Sequence, residues 1–214
     1  YDRRVYREFA KRLLLRAYNG GIVAGSRSMA YYRSLGVPAD RLLPGYDTVQ
    51  IDRIRALVKD DNGEEFQARP FLYLGRFVGK KNLPMLIRGY AAYLGAGGSR
   101  GLVMAGSGVL EGELRALADG LGVAGSIEWP GFLNPQASAV QLARSLALLL
   151  VSSEEQWGLV INEAFALARP AIVSAQVGAC DLLVRDGQTG YVLPDGFTTD
   201  DLARAMLAMG SDHE

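Results

Sequence analysis

The sequence has one cysteine and one histidine in 214 residues. A lone Cys180 excludes an internal disulfide, and a single imidazole leaves no cluster with metal-ligand spacing. Cys180 has no base beside it in sequence, so it reads as a small buried filler rather than a nucleophile. His213 is the penultimate residue, where a solvated tail side chain is expected rather than a catalyst. Charge of either sign is also missing in excess: 23 Lys and Arg face 23 Asp and Glu. A nucleic-acid groove usually shows a basic surplus, so no nucleic-acid partner is expected. No apolar run is long enough to cross a bilayer, and no signal peptide is visible. The expected compartment is the cytoplasm, or a membrane surface reached from it.

What remains is an ordinary globular composition, 49% hydrophobic and 21% charged. That suits one large domain, or one domain with part of another. The chain opens at Tyr1 inside an amphipathic segment and ends in MGSDHE just after a helix-like stretch. Both ends read as cuts in a longer protein.

In residues 2–18, Val5, Phe9, Leu13 and Ala17 fall on one helical face, closed by Asn19-Gly20-Gly21. A short strand GIVAGS, a helix over residues 27–35 and a brief strand LLPG follow. Residues 1–45 thus look like the last α/β unit of a preceding domain. Residues 46–69 read as a connector with a short helix at 52–58 and a surface loop DDNGEE. From Pro70 onward strands and helices alternate: FLYLGR, a helix over 82–94, GLVMAGSG, a helix over 110–121, SIEWPGF, a helix over 135–145. The series continues through LALLLVSS, a helix starting at Leu159, AIVS, a turn or short helix at 182–184, GYVLP and a helix over 199–209. Such alternation predicts a Rossmann-like α/β domain over residues 70–214, a doubly wound parallel sheet with helices on both faces. Ligands of such sheets bind beyond the carboxyl ends of the strands.

The turns after strands are therefore where chemistry is expected. In residues 151–174, an apolar strand breaks into an acidic loop, and helical spacing resumes at Leu159, Val160, Glu163 and Ala164. Glu155 in the loop and Glu163 on the helix flank a helix N-terminus, where Gly158, Leu159 and Val160 offer free N–H groups to an anion. Carboxylates accept hydrogen bonds from sugar hydroxyls, and Gly158 would let an anion approach the backbone. A solvated acidic loop and a helix-capping Glu would look the same. Trp157 either stacks on a ligand or packs the loop. Arg76 and Lys81 sit five apart in the turn after FLYL, suited to clamping a diphosphate, or else simply solvated, as Lys80 is expected to be. Gly106-Ser107-Gly108 and Gly178 are weaker candidates for anion-facing turns. The Gly131-Phe132 turn has backbone groups able to meet the edge of a flat base, and a plain turn fits it equally.

These residues carry a resemblance. EQWGLVINEAF looks like the Glu-x7-Glu motif of the retaining glycosyltransferases of family 4, in the glycosyl transferases group 1 superfamily. GRFVGKKN is similar to that family's Gly-Arg…Lys turn, VGACDLLVRDGQTGYVLP to its Gly-rich segment and closing strand, and GYDTVQID to its hinge. The resemblance covers roughly residues 20–210. It implies the C-terminal half of a two-domain GT-B-type fold: 1–45 the tail of an N-terminal acceptor domain, 46–69 a connector, and 70–214 a donor domain truncated at its C-terminal end.

It implies a nucleotide-diphosphate sugar donor and transfer to an acceptor hydroxyl with retention of anomeric configuration. The acceptor would be a carbohydrate, a lipid-linked sugar or a small molecule, as in polysaccharide or glycolipid synthesis. The implied roles are residue by residue. Arg76 and Lys81 hold the diphosphate, Glu155 the sugar hydroxyls and Glu163 the ribose. Gly158 and Leu159 give N–H groups to phosphate or sugar, and Gly131 or Phe132 lines the base pocket. Arg76 and Lys81 would also act catalytically, with Glu155, by stabilising the leaving group. No metal and no cofactor are implied, and peripheral membrane contact would fall to the absent part of the N-terminal domain. A nucleotide-sugar binding module without transfer activity and an epimerase of the same fold remain alternatives. A phosphorylase would need a cofactor lysine site, and no convincing one is visible. One departure stands out: Ala168 occupies a position where the family usually has Gly, with strain expected if φ there is positive.

Overall fold

The structure, a computed structural model, describes residues 5–58 and 66–210. The DDNGEE loop, His213 and residues 2–4 of the first expected helix lie outside the described residues. The chain forms two compact units, Tyr1–Thr48 and Val49–Glu214.

The first unit is a helix-strand-helix-strand piece: α1 (Val5–Leu15), β1 (Gly21–Val23), α2 (Ser26–Ser34) and β2 (Leu42–Pro44). The two strands pair in parallel, Gly21 opposite Leu42. The apolar positions that mark α1 as amphipathic are not core positions here. Val5, Phe9 and Leu13 are all exposed, as are Ile22 and Leu43 on the strands.

The second unit starts with α3 (Ile51–Ala56), inside the stretch expected to be a connector. This helix is docked: Arg55 Nε donates to the Ala166 carbonyl at 2.9 Å, and Gln136 Nε2 donates to the Leu57 carbonyl. Six strands follow: β3 (Phe71–Leu74), β4 (Leu102–Ala105), β5 (Ile127–Gly131), β6 (Ala147–Leu150), β7 (Ala171–Ser174) and β8 (Gly190–Leu193). They alternate with α4 (Leu83–Gly95), α5 (Glu111–Gly120), α6 (Pro135–Arg144), α7 (Leu159–Ala166), α8 (Cys180–Leu183) and α9 (Thr199–Gly210). The sheet order is β5-β4-β3-β6-β7-β8, every pairing parallel. Chain order reverses between β3 and β6, so the switch point of this Rossmann-like sheet lies between their carboxyl ends. The inner strands β3, β4, β6 and β7 are short, mostly apolar runs because both faces are covered, whereas the edge strand β5 alternates buried and exposed positions. Phe71, Leu72 and Tyr73 on β3, Ala147–Leu150 on β6 and Ala171, Ile172 and Val173 on β7 are all fully buried. Among the described residues no helix is long and apolar enough to cross a membrane.

The end of α7 bears out the concern over Ala168. The Arg169 N–H returns to the Ala164 carbonyl (2.9 Å) and the Ala168 N–H to that of Phe165 (3.0 Å), a helix-closing pair of hydrogen bonds that needs a left-handed residue at the turn. That residue is Ala168, at φ 55°. Its Cβ is strained there by about 1 kcal/mol. Ala168→Gly is therefore expected to raise unfolding free energy by about 0.5 kcal/mol, the relieved strain less the added chain entropy. Urea denaturation would show it as a higher midpoint at unchanged slope.

Candidate functional site

The loops leaving β3, β4, β6 and β7 are stitched together by their backbones. The Phe77 N–H donates to the Ser107 carbonyl (2.9 Å), joining the turn after β3 to that after β4. The Ser153 N–H donates to the Lys80 carbonyl (2.9 Å), joining it to the acidic loop after β6. Gly178 and Ala179 donate to the carbonyls of Glu155 and Trp157, each at 3.0 Å, tying in the turn after β7. The Ser174 hydroxyl adds a 2.6 Å bond to the Ser152 carbonyl. A single rim results, spanning the switch point.

On one side of that rim is a cleft of about 340 Å³. Arg76 enters from the β3 turn, Gly106 and Ser107 from the β4 turn, Phe132 from the β5 turn, and Val160 and Glu163 from α7. Arg76 is exposed and has no carboxylate partner among the described residues. An unpaired guanidinium facing a cleft is available to an anion. Glu163 is half-buried, and burial raises its proton affinity above the usual carboxylate range. Phe132 stands 80% exposed, a bare ring at the cleft wall.

Lys81 and Glu155 form an ion pair at the same edge, each with about 15% of its side chain exposed. Lys81 is placed by a 3-10 turn (Gly79–Lys81) that ends on Asn82 in left-handed conformation, from which α4 departs. Tyr73 connects the two halves of the site. Its buried hydroxyl donates to the Arg76 carbonyl at 2.8 Å. Burial first, then the charge of Glu155, push its ionisation up, while Arg76 opposes them. The phenol is thus a neutral donor that fixes the Arg76 turn within the field of Glu155.

The expected residues therefore come together in two pairs: Arg76 with Glu163 in the cleft, Lys81 with Glu155 beside it. Several expectations need correction. Gly158 owes its lack of a side chain to packing. It is buried at φ 103°, and a Cβ there would press on Leu150 and Val177 at 3.0 and 3.2 Å. Gly178 is not an anion-facing turn, since its N–H is used by Glu155, and a Cβ would lie 1.9 Å from the Gln156 carbonyl oxygen. Gly131 gives its carbonyl to the Gly106 N–H (2.8 Å) and leaves the cleft wall to Phe132. Leu159 is partly exposed at the first position of α7; its N–H and that of Val160 have no intrahelical acceptor. Trp157 packs the loop, 7% exposed, its Nε1 donating to Asn162 Oδ1 at 3.0 Å. Cys180 is buried. Lys80 contributes its backbone carbonyl to the rim. Tyr73 was invisible in the sequence, because a tyrosine within FLYL reads as core. Among the described residues no group of His, Cys, Asp and Glu could hold a metal ion.

The model of the family Glycosyl transferases group 1 matches residues 56–214, nearly the whole second unit. The chain belongs to that family. A relative from Actinosynnema mirum, named D-inositol 3-phosphate glycosyltransferase, is 36% identical over 190 residues, 82% of this chain and 43% of its own length. Two solved glycosyltransferase-type folds also superpose. The lipopolysaccharide outer core galactosyltransferase WaaB (apo form) does so with a TM-score of 0.78 at 22% identity, over 97% of this chain and 56% of its own. Anabaena HepE, solved with UDP and glucose, does so at 0.71 and 17% identity, over 95% of this chain and 56% of its own. At these identities the structures establish the GT-B Rossmann-like fold. The matched part of the chain spans between 21% and 43% of the length of the first four curated relatives.

Proposed function

We propose that this chain is the donor-binding half of a retaining glycosyltransferase of family 4, with a nucleoside-diphosphate sugar as donor. The observation that carries the reading is the shared cleft of Arg76 and Glu163 at the switch point, with Lys81 and Glu155 paired beside it. The names of the similar proteins support it, one being solved with UDP and glucose. On this reading residues 1–45 are the tail of an acceptor domain, 46–69 the connection, and 70–214 the donor domain.

Arg76 grips the diphosphate with its planar fork. Lys81 has three donors, so one ammonium can serve Glu155 and a phosphate oxygen together. Phe132 lies against the base, Glu163 accepts from the ribose diol, and Glu155 accepts from the sugar. In the reaction the bond from the anomeric carbon to the diphosphate oxygen breaks and a bond to the acceptor oxygen forms on the same face. The acceptor proton leaves with the diphosphate. Negative charge grows on the leaving oxygen, and on this reading Arg76, Lys81 and the N-terminus of α7 stabilise it. The acceptor, a carbohydrate, lipid-linked or small-molecule hydroxyl, is met by the rest of the enzyme.

Glu163 provides the test. Its folded-state pKa is raised, so its ionised form costs stability at neutral pH, a cost that vanishes as pH falls through that raised value. Ribose hydroxyls donating to the carboxylate offset the same cost and favour ionisation. UDP affinity is therefore expected to fall as pH drops through that raised value, beyond any change seen with pyrophosphate, which has no ribose. Glu163→Ala is expected to weaken UDP about fivefold, about 1 kcal/mol, and to leave pyrophosphate nearly unchanged in calorimetric titration. Equal loss of both ligands would contradict the ribose role.

A further inference from the structure

The first unit holds a cavity of about 580 Å³, bordered by the ends of α1 and α2 and by the turns that lead into β1 and β2. It lies at the amino ends of two parallel strands, the edge opposite to where a Rossmann-like piece places its ligands. Arg12, Arg16, Arg33 and Arg41 line it, and no Asp or Glu does. Arg12 is committed, its Nη2 donating to the Ser34 carbonyl at 3.0 Å. Arg16, Arg33 and Arg41 are exposed and have no ion-pair partner among the described residues.

Helix ends attract cations, and Arg12 and Arg33 do stand in the last turns of α1 and α2. Each end carries only about half a negative charge, so the two together offset about one of the four guanidinium charges. Arg16 directly follows α1 and shares that same end, and Arg41 closes only a three-residue 3-10 turn (Ala39–Arg41). About three positive charges therefore converge without a counter-charge. The local sequence sharpens the imbalance: residues 1–48 hold nine Lys and Arg against four Asp and Glu in a chain that is neutral as a whole. Guanidinium groups pair with phosphate oxygens through two parallel hydrogen bonds, and the Tyr18 hydroxyl on the cavity wall adds another donor.

We propose that this cavity binds a phosphate group, carried by a soluble phosphorylated compound or by a phospholipid headgroup. The site is independent of the strand-end cleft. Inorganic pyrophosphate probes the first source, and vesicles of phosphatidylcholine with or without phosphatidic acid probe the second. Pyrophosphate is titrated into the Arg76→Ala chain, so that the other cleft contributes little, with and without Arg16→Gln/Arg33→Gln. Vesicle co-sedimentation compares the same pair of chains. The double substitution spares the Arg12–Ser34 bond and alters only exposed side chains; circular dichroism checks its fold, and Arg41→Gln on a separate turn serves as a second variant. Expected is an at least fivefold loss of pyrophosphate affinity, or loss of sedimentation with phosphatidic acid vesicles alone, while UDP binding in an otherwise unaltered chain stays the same. The first result assigns a soluble ligand and the second a headgroup. Unchanged pyrophosphate titrations and unchanged sedimentation in both variants would overturn the proposal.

Discussion

Arg76→Ala is expected to weaken nucleoside diphosphate binding at least tenfold, about 1.4 kcal/mol. The side chain is exposed, has no carboxylate partner among the described residues, and lines the cleft with Glu163. Its removal should therefore cost binding with little cost in stability. A charge-assisted bond to a phosphate is worth about 1.5–3 kcal/mol, which sets tenfold as the lower bound. The Tyr73 hydroxyl holds the Arg76 backbone carbonyl rather than its guanidinium, so the turn survives the substitution. Calorimetric titration with a panel of nucleoside diphosphates reads the loss. Equal binding by the two proteins would remove Arg76 from the site and with it the donor-cleft reading.

Lys81→Met should act on stability as well as on binding. Lys81 and Glu155 are each mostly covered, and among the described residues Lys81 is the ion-pair partner of Glu155. Taking away one member of a fully buried pair costs about 3–5 kcal/mol, because the other charge is left without compensation. Here some solvent reaches both groups, and about 2 kcal/mol is expected in urea denaturation at neutral pH. Adding Glu155→Gln to Lys81→Met should recover most of that stability, since no bare charge then remains. It should not recover binding of the nucleotide-sugar, for which both groups are needed. A double variant as unstable as the single one would mean that Lys81 matters for packing through its stem and not for its charge.

The sheet was legible because its physics is local. Runs such as FLYL, ALLL and AIV are almost wholly apolar, as strands covered on both faces require, and Pro70, Gly75 and Pro170 mark ends of the first and third. Arg76, Lys81, Glu155 and Glu163 were found because charged residues just past buried strands are conspicuous. Hidden from the sequence was the manner in which they are held. The Lys80 carbonyl binds the acidic loop through its backbone, which no side-chain pattern reveals. Gly158 and Gly178 are packed against residues distant in sequence, Val177 and Gln156 among them, which a local reading does not reveal. Tyr73 is read as core by its surroundings and is core, yet its hydroxyl reaches the site. Residues 51–56 look like linker from their polarity, but Arg55 ties them to the end of α7.

The continuous belt of main-chain bonds from Ser107 through Phe77, Lys80, Ser153 and Glu155 to Gly178 has a kinetic corollary. A recess whose walls are already laced to one another has little freedom left to surrender when its guest arrives. Capture should then proceed at a rate set by diffusion and charge, and differences in affinity among guests should be written almost wholly in how fast they escape.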